Sequence, residues 1–144
     1  MLGPAQPTVL VVDDDEDFRA ALRERLEDDG CDVLEVRSGE AAIAMLEQAS
    51  KARVRPPYLI VLDLLMPTMS GIEVLQRLRR SPVWARLPVL VVTGVNDPML
   101  PVRLDVPIAF KPDVDVVLEA VRRYLVKRDT PPASTFAARR DAKS

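Results

Sequence analysis

Four short apolar runs in this chain each end on an acid, a hydroxyl or an ammonium, and that repetition constrains the fold more than any other feature. Val9-Leu10-Val11-Val12 runs into Asp13-Asp14-Asp15, and Tyr58-Leu59-Ile60-Val61-Leu62 runs into Asp63. Val89-Leu90-Val91-Val92 ends on Thr93, and Ile108-Ala109-Phe110 ends on Lys111. Strand-like runs of this kind alternate with helix-like stretches and short connections, a pattern that favours βαβ units and a parallel sheet. In an open α/β sheet, ligands bind in the crevice beyond the carboxyl ends of the strands. The four polar exits therefore converge on one edge. Clustered carboxylates, a hydroxyl and an ammonium together suit a divalent cation and a phosphoryl group.

The stretches between the runs carry helical spacing. Phe18, Ala21, Leu22 and Leu26 fall on one face, with Glu16 and Asp17 at the positive end and Gly30 at the exit. Residues 32–36 read as a second strand, and Ser38 caps a helix that turns Ala42, Ile43, Leu46 and Ala49 inward. A basic loop, residues 51–57, precedes the third strand, 58–63. Ser70 with Glu73 fits a capping box for a helix burying Val74, Leu75 and Leu78. Pro88 opens the fourth strand. The last helix carries Val114, Val117, Leu118, Val121 and Leu125 on one face. Between Thr93 and Lys111, Pro98, Pro101 and Pro107 leave space for one or two helical turns, so the fourth helix is expected to be short or irregular.

Bulk properties narrow the function. A chain of 144 residues suits one domain, long enough to bury a single core. With 20 basic and 22 acidic residues, the net charge of −2 gives no global field toward nucleic acid or a membrane, and neither is expected as a partner. Cys31 is the single cysteine and cannot form an internal disulfide. No apolar run approaches a membrane span, and residues 1–7 have no signal-peptide pattern. The expected compartment is the cytoplasm. The absence of histidine removes Ser-His-Asp triads, histidine metal sites and histidine bases. Any phosphohistidine in this chemistry belongs to another molecule.

Each polar exit has a plain structural explanation on its own. The acid run caps a helix, Asp63 is a loop carboxylate, Thr93 is a β-branched strand residue, and Lys111 is a snorkelling surface lysine. Jointly they are harder to dismiss. Two carboxylates about 4 Å apart repel by roughly 4 kcal/mol at an effective dielectric near 20. A cation offsets that cost, and hard oxygen ligands select Mg²⁺ or a similar ion.

In sequence order, Val11-Val12-Asp13-Asp14, Leu62-Asp63-Leu64-Leu65-Met66-Pro67-Thr68-Met69-Ser70-Gly71, Val92-Thr93-Gly94 and Phe110-Lys111-Pro112 closely resemble a receiver domain of bacterial two-component response regulators. The resemblance spans about residues 8–127, and residues 128–144 are expected to be a polar tail. It implies a flavodoxin-like, doubly wound (βα)5 fold with strand order 2-1-3-4-5. It further implies that Asp63 accepts a phosphoryl group as a carboxylate nucleophile. Asp14, Asp63 and the Leu65 backbone carbonyl would hold Mg²⁺ directly, with Asp13 acting through a bound water. Lys111 would pair with one phosphoryl oxygen and Thr93 with another. Gly94 would leave room, and Pro112 would hold the peptide after Lys111 in the family's conformation, commonly cis. The implied donor is a sensor histidine kinase or a histidine phosphotransferase.

The chain departs from the family at position 108, where Ile108 replaces the usual aromatic switch residue, with Phe110 nearby in another register. Together with the short fourth helix, this puts the usual readout in doubt. The loops at 66–70 and 94–104 are expected to report phosphorylation instead. Leu65 and Val95 offer no polar side chain to an attacking water, which suggests slow self-dephosphorylation. No recognition helix follows the domain, so a stand-alone receiver is expected, acting as a phosphorelay intermediate or through a downstream protein target. Two alternatives stay open. A haloacid-dehalogenase-like phosphatase uses similar groups, although its first motif fails at Asp17. A non-phosphorylated protein-binding scaffold would carry the same residues as a vestige.

Overall fold

Nine elements follow one another in the computed structural model, which describes residues 6–94, 106–111 and 113–129. They are β1 (Thr8–Val12), α1 (Glu16–Asp28), β2 (Asp32–Val36), α2 (Gly39–Lys51), β3 (Leu59–Asp63), α3 (Gly71–Arg80), β4 (Val89–Gly94), β5 (Ile108–Lys111) and α4 (Val114–Asp129). The strands form one parallel sheet in the order β2-β1-β3-β4-β5, the expected flavodoxin-like winding. The short helix expected before β5 falls on residues 95–105 and lies outside the described residues, as do Pro112 and the chain from residue 130. Among the described residues, no helix is long and apolar enough to cross a membrane.

Alternation along the strands divides the interior into two layers. Val9, Val11, Leu59, Val61, Leu90, Val92 and Ala109 pack on the face covered by α1 and α4. Leu10, Val12, Ile60, Leu62, Val89 and Val91 pack on the face covered by α2 and α3. A sheet buried on both faces explains why its strands read as continuous apolar runs.

Local chemistry sets the helix ends. Asp15 caps α1 by accepting from the Phe18 amide at 3.1 Å. At the other end, Gly30 (φ +90°) completes a Schellman motif, Cys31 N–H donating to Leu26 C=O and Gly30 N–H to Glu27 C=O. Ser38 accepts from the Ala41 amide and Ser70 from the Glu73 amide. Among the described hydrogen bonds only this arm of the expected capping box forms. Helix α4 runs through Arg128 and Asp129, two residues into the segment assigned to the tail by sequence. Its face pattern fades at Leu125, but no helix breaker occurs before the Pro131-Pro132 pair.

Candidate functional site

The site lies where the winding reverses. From β1 the chain goes outward to β2 on one side, and β3 lies on the other, which opens a crevice at the carboxyl ends of β1 and β3. Register places Val12 beside Leu62, so Asp13 and Asp63 leave the sheet as neighbours. Period-two alternation aims Asp13, Asp63 and Lys111 at the same face as Val11, Val61 and Ala109, the α1 side. Lys111 starts two strands from Asp63, and its long side chain spans that gap.

Asp13 is 1% exposed and Asp63 5% exposed, while Asp14 is open to solvent. One oxygen from each lies within 4.8 Å of the others. The Lys111 ammonium hydrogen-bonds Asp13 Oδ1 at 3.2 Å and lies 3.7 Å from Asp63 Oδ2. It also approaches Asp13 Oδ2 to 2.9 Å, but at an angle that forms no hydrogen bond, so this buried oxygen has no hydrogen-bond partner among the described residues. We take that contact as charge attraction alone. The Asp15 amide donates to Asp13 Oδ1 at 2.9 Å, and the Leu65 amide to Asp63 Oδ1 at 3.3 Å.

Burial raises the Asp63 carboxyl to about 7; the charges of Asp13 and Asp14 add to the rise, while Lys111 and the Leu65 amide oppose it. For Lys111, burial alone would lower the ammonium's pKa. The hydrogen bond and charge of Asp13, with Asp63 and Asp15, outweigh burial and raise it. Three carboxylates against one ammonium leave a negative pocket, and the buried Asp13 Oδ2, ion-paired with Lys111 but without a hydrogen bond among the described residues, suits a cation. The all-oxygen donor set fits Mg²⁺.

Thr93, the next-to-last residue of β4, is fully buried beside Phe110 in register, and Gly94, which ends the strand, pairs with Lys111. A Cβ built at Gly94 meets none of the described residues within 4 Å. Ile108 is half-buried against the α2–α3 layer, and Phe110 is partly exposed. The structure thus brings Asp13, Asp14, Asp63 and Lys111 together and divides the acid run, since Asp15 serves as a helix cap.

Sequence reasoning missed three contributors. The Phe18 ring lies under the Lys111 ammonium, 4.8 Å from nitrogen to ring centroid; its position on the inner face of α1 marked it only as core. Arg19 donates to the Asp13 carbonyl at 2.6 Å and to Glu35 at 3.0 Å, bracing the β1 exit. Gly71 touches β3 so closely that an added Cβ would lie 2.2 Å from the Asp63 carbonyl oxygen. Its N–H donates to Leu64 C=O at 2.9 Å. The glycine in the quoted motif was the available signal for this approach.

Residues 9–105 match the response regulator receiver domain family. The chain is similar to the phosphate regulon transcriptional regulatory protein PhoB of Rhizobium meliloti, 36% identical over 61% of this chain and 36% of that protein. Its fold is similar to a response regulator receiver protein from Pseudomonas putida, with a TM-score of 0.71 and 32% identity over 84% of this chain and 99% of that one. It is also similar to the Mn²⁺-bound form of response regulator Rcp1, with a TM-score of 0.69 and 25% identity over 88% and 99% of the two chains. The chain spans between about a third and two thirds of the length of several curated relatives it matches.

Proposed function

The chain belongs to the response regulator receiver domain family, and we propose on that footing that it takes a phosphoryl group onto Asp63 in a Mg²⁺-dependent reaction. The observation that carries this reading is the convergence of three carboxylates and one lysine around a buried Asp13 oxygen that has no hydrogen-bond partner among the described residues. The donor is a phosphohistidine of a sensor histidine kinase or histidine phosphotransferase, since this chain has no histidine of its own. The reaction is cytoplasmic.

An Asp63 carboxylate oxygen attacks phosphorus, a P–O bond forms, and the P–N bond to the donor imidazole breaks as its nitrogen takes the electron pair. Asp14, Asp63 and the Leu65 carbonyl would hold the magnesium ion, with Asp13 acting through a water. When bound, the ion supplies charge neutralisation for the phosphoryl oxygens in flight. Lys111, fixed between Asp13 and Asp63 over the Phe18 ring, pairs with one phosphoryl oxygen. Thr93 hydrogen-bonds another after transfer, and Gly94 keeps the approach clear. The product signals by conformational change to a downstream protein or passes its phosphoryl group onward. Ile108 stands where relatives use an aromatic switch, so this readout runs through the loops after β3 and β4.

Incubation with acetyl phosphate and Mg²⁺, followed by intact-mass measurement, tests the reading. One added phosphoryl group is expected on the wild type and none on Asp63→Asn. Uptake by the variant, or none by the wild type with a good donor, overturns it.

A further inference from the structure

The opposite end of the sheet carries a second feature that phosphoryl chemistry does not use. A groove of about 320 Å³ lies between the end of α2, the loop before β3 and the loop before β4. Its walls are mostly apolar, from Leu46, Ala49, Val54, Val83 and Trp84, and Arg53 and Arg55 line it as well. Val54 and Val83 stand 60% and 67% exposed, unusual for valines that line one concavity. At about 3.3 Å per strand residue, the groove is roughly 15 Å from the carboxylate site.

Charge around the groove is segregated. Residues 46–62 and 74–93, which include the whole lining, contain seven basic side chains and one acid, Glu47, although acids outnumber bases in the chain as a whole. Lys51 and Arg80 end helices, where a cation complements the helix dipole. Arg53 closes the end of α2 directly after its cap, within the same reach, whereas Arg55 and Arg86 lie in loops beyond it. All five are exposed, and none has an ion-pair partner among the described residues. In contrast, Arg19, Arg23, Arg25 and Arg122, around α1 and α4, each pair with an acid.

We propose that this groove docks an acidic peptide segment of a partner protein, with a bulky aliphatic side chain seated against Trp84 and flanking carboxylates on Arg53 and Arg55. Trp and Arg are the residues that dominate interface energetics, and unpaired cations around an apolar floor complement an acidic amphipathic segment. A bare phosphate backbone would use the cations but leave the apolar walls exposed, so the groove favours peptide over nucleic acid. The inference is independent of the chemistry at Asp63.

Trp84 is the single tryptophan of the chain, which makes it the reporter. The full chain is titrated with a synthetic Glu-Asp-Leu-Leu-Glu-Asp peptide while its fluorescence is followed. A saturable shift is expected, weakening as salt is raised, and at least about tenfold weaker binding when both leucines are replaced by serine. Arg53→Glu with Arg55→Glu should abolish the shift, with far-UV circular dichroism reporting the fold. Should that pair misfold, the milder Arg53→Gln with Arg55→Gln, and Val83→Asp at an exposed position, carry the test. No saturable shift, equal binding of the serine peptide, full binding by folded variants, or tighter binding of duplex DNA at the same site would each overturn the proposal.

Discussion

The two ends of the sheet are built from the same strands under opposite rules. At the amino edge, Pro7, Pro88 and Pro107 stand immediately before β1, β4 and β5, where the missing N–H costs no ladder bond. Their carbonyls accept from Asp32, Ile60 and Val91 at 2.9–3.0 Å, so the backbone there is satisfied and stiff. At the carboxyl edge, Asp13 and Asp63 are buried, one carboxylate oxygen has no hydrogen-bond partner among the described residues, and Asp63 is driven toward its neutral form. One edge secures the fold, and the other gathers buried charge at a cost to stability, where the proposed reaction would use it. The comparison teaches that the electrostatic cost sits at the strand exits, as expected where function opposes stability.

The largest effect should come from crowding the carboxyl edge. Gly71→Ala forces a methyl against the Asp63 carbonyl and should lower stability by roughly 2–4 kcal/mol in urea denaturation. A neutral result would mean that α3 shifts freely away from β3. Next, removing charge from this edge should stabilise it. The folded-state pKa of Asp63 is raised, to about 7 from 3.8, so its contribution is fully present below the unfolded value and is lost as pH rises through 7. In chelator, Asp63→Asn should therefore match wild type near pH 4 and exceed it by roughly 1–3 kcal/mol at pH 8. A variant less stable than wild type at pH 8 would contradict the idea of stored charge.

The same proton sets metal affinity. Mg²⁺ favours the ionised carboxyl, so calorimetric affinity should rise roughly tenfold from pH 6 to pH 8 in wild type, whereas pH-independent binding would break the link. The smallest change belongs to the amino edge. Pro88→Ala leaves the carbonyl that accepts from Ile60 in place, and should cost only about 0.4–1 kcal/mol, through the unfolded chain. A loss as large as that of Gly71→Ala would erase the distinction between the two edges.

The architecture was legible because burial on both faces leaves a plain sequence signature, as in Val9–Val12 and Val89–Val92. Asp13, Asp63 and Lys111 could be found for the same reason, each being the first polar residue after such a run. The division of labour within Asp13-Asp14-Asp15 was not legible, because capping and site formation ask for the same residue type a few residues apart. Phe18 was hidden by its double role, since one ring both fills the α1 interface and lies under Lys111. The basic loop at 51–57 was visible, but its shared groove with Val83 and Trp84 depends on contact between distant segments, which no local pattern encodes.

Locating the acquired phosphoryl group tests the account's central claim most directly. After reaction with acetyl phosphate and Mg²⁺, borohydride reduction converts an aspartyl phosphate to homoserine, which peptide mass spectrometry reads by position. Homoserine at position 63 alone is the predicted result; homoserine at position 13 or 14, or at none, would contradict it.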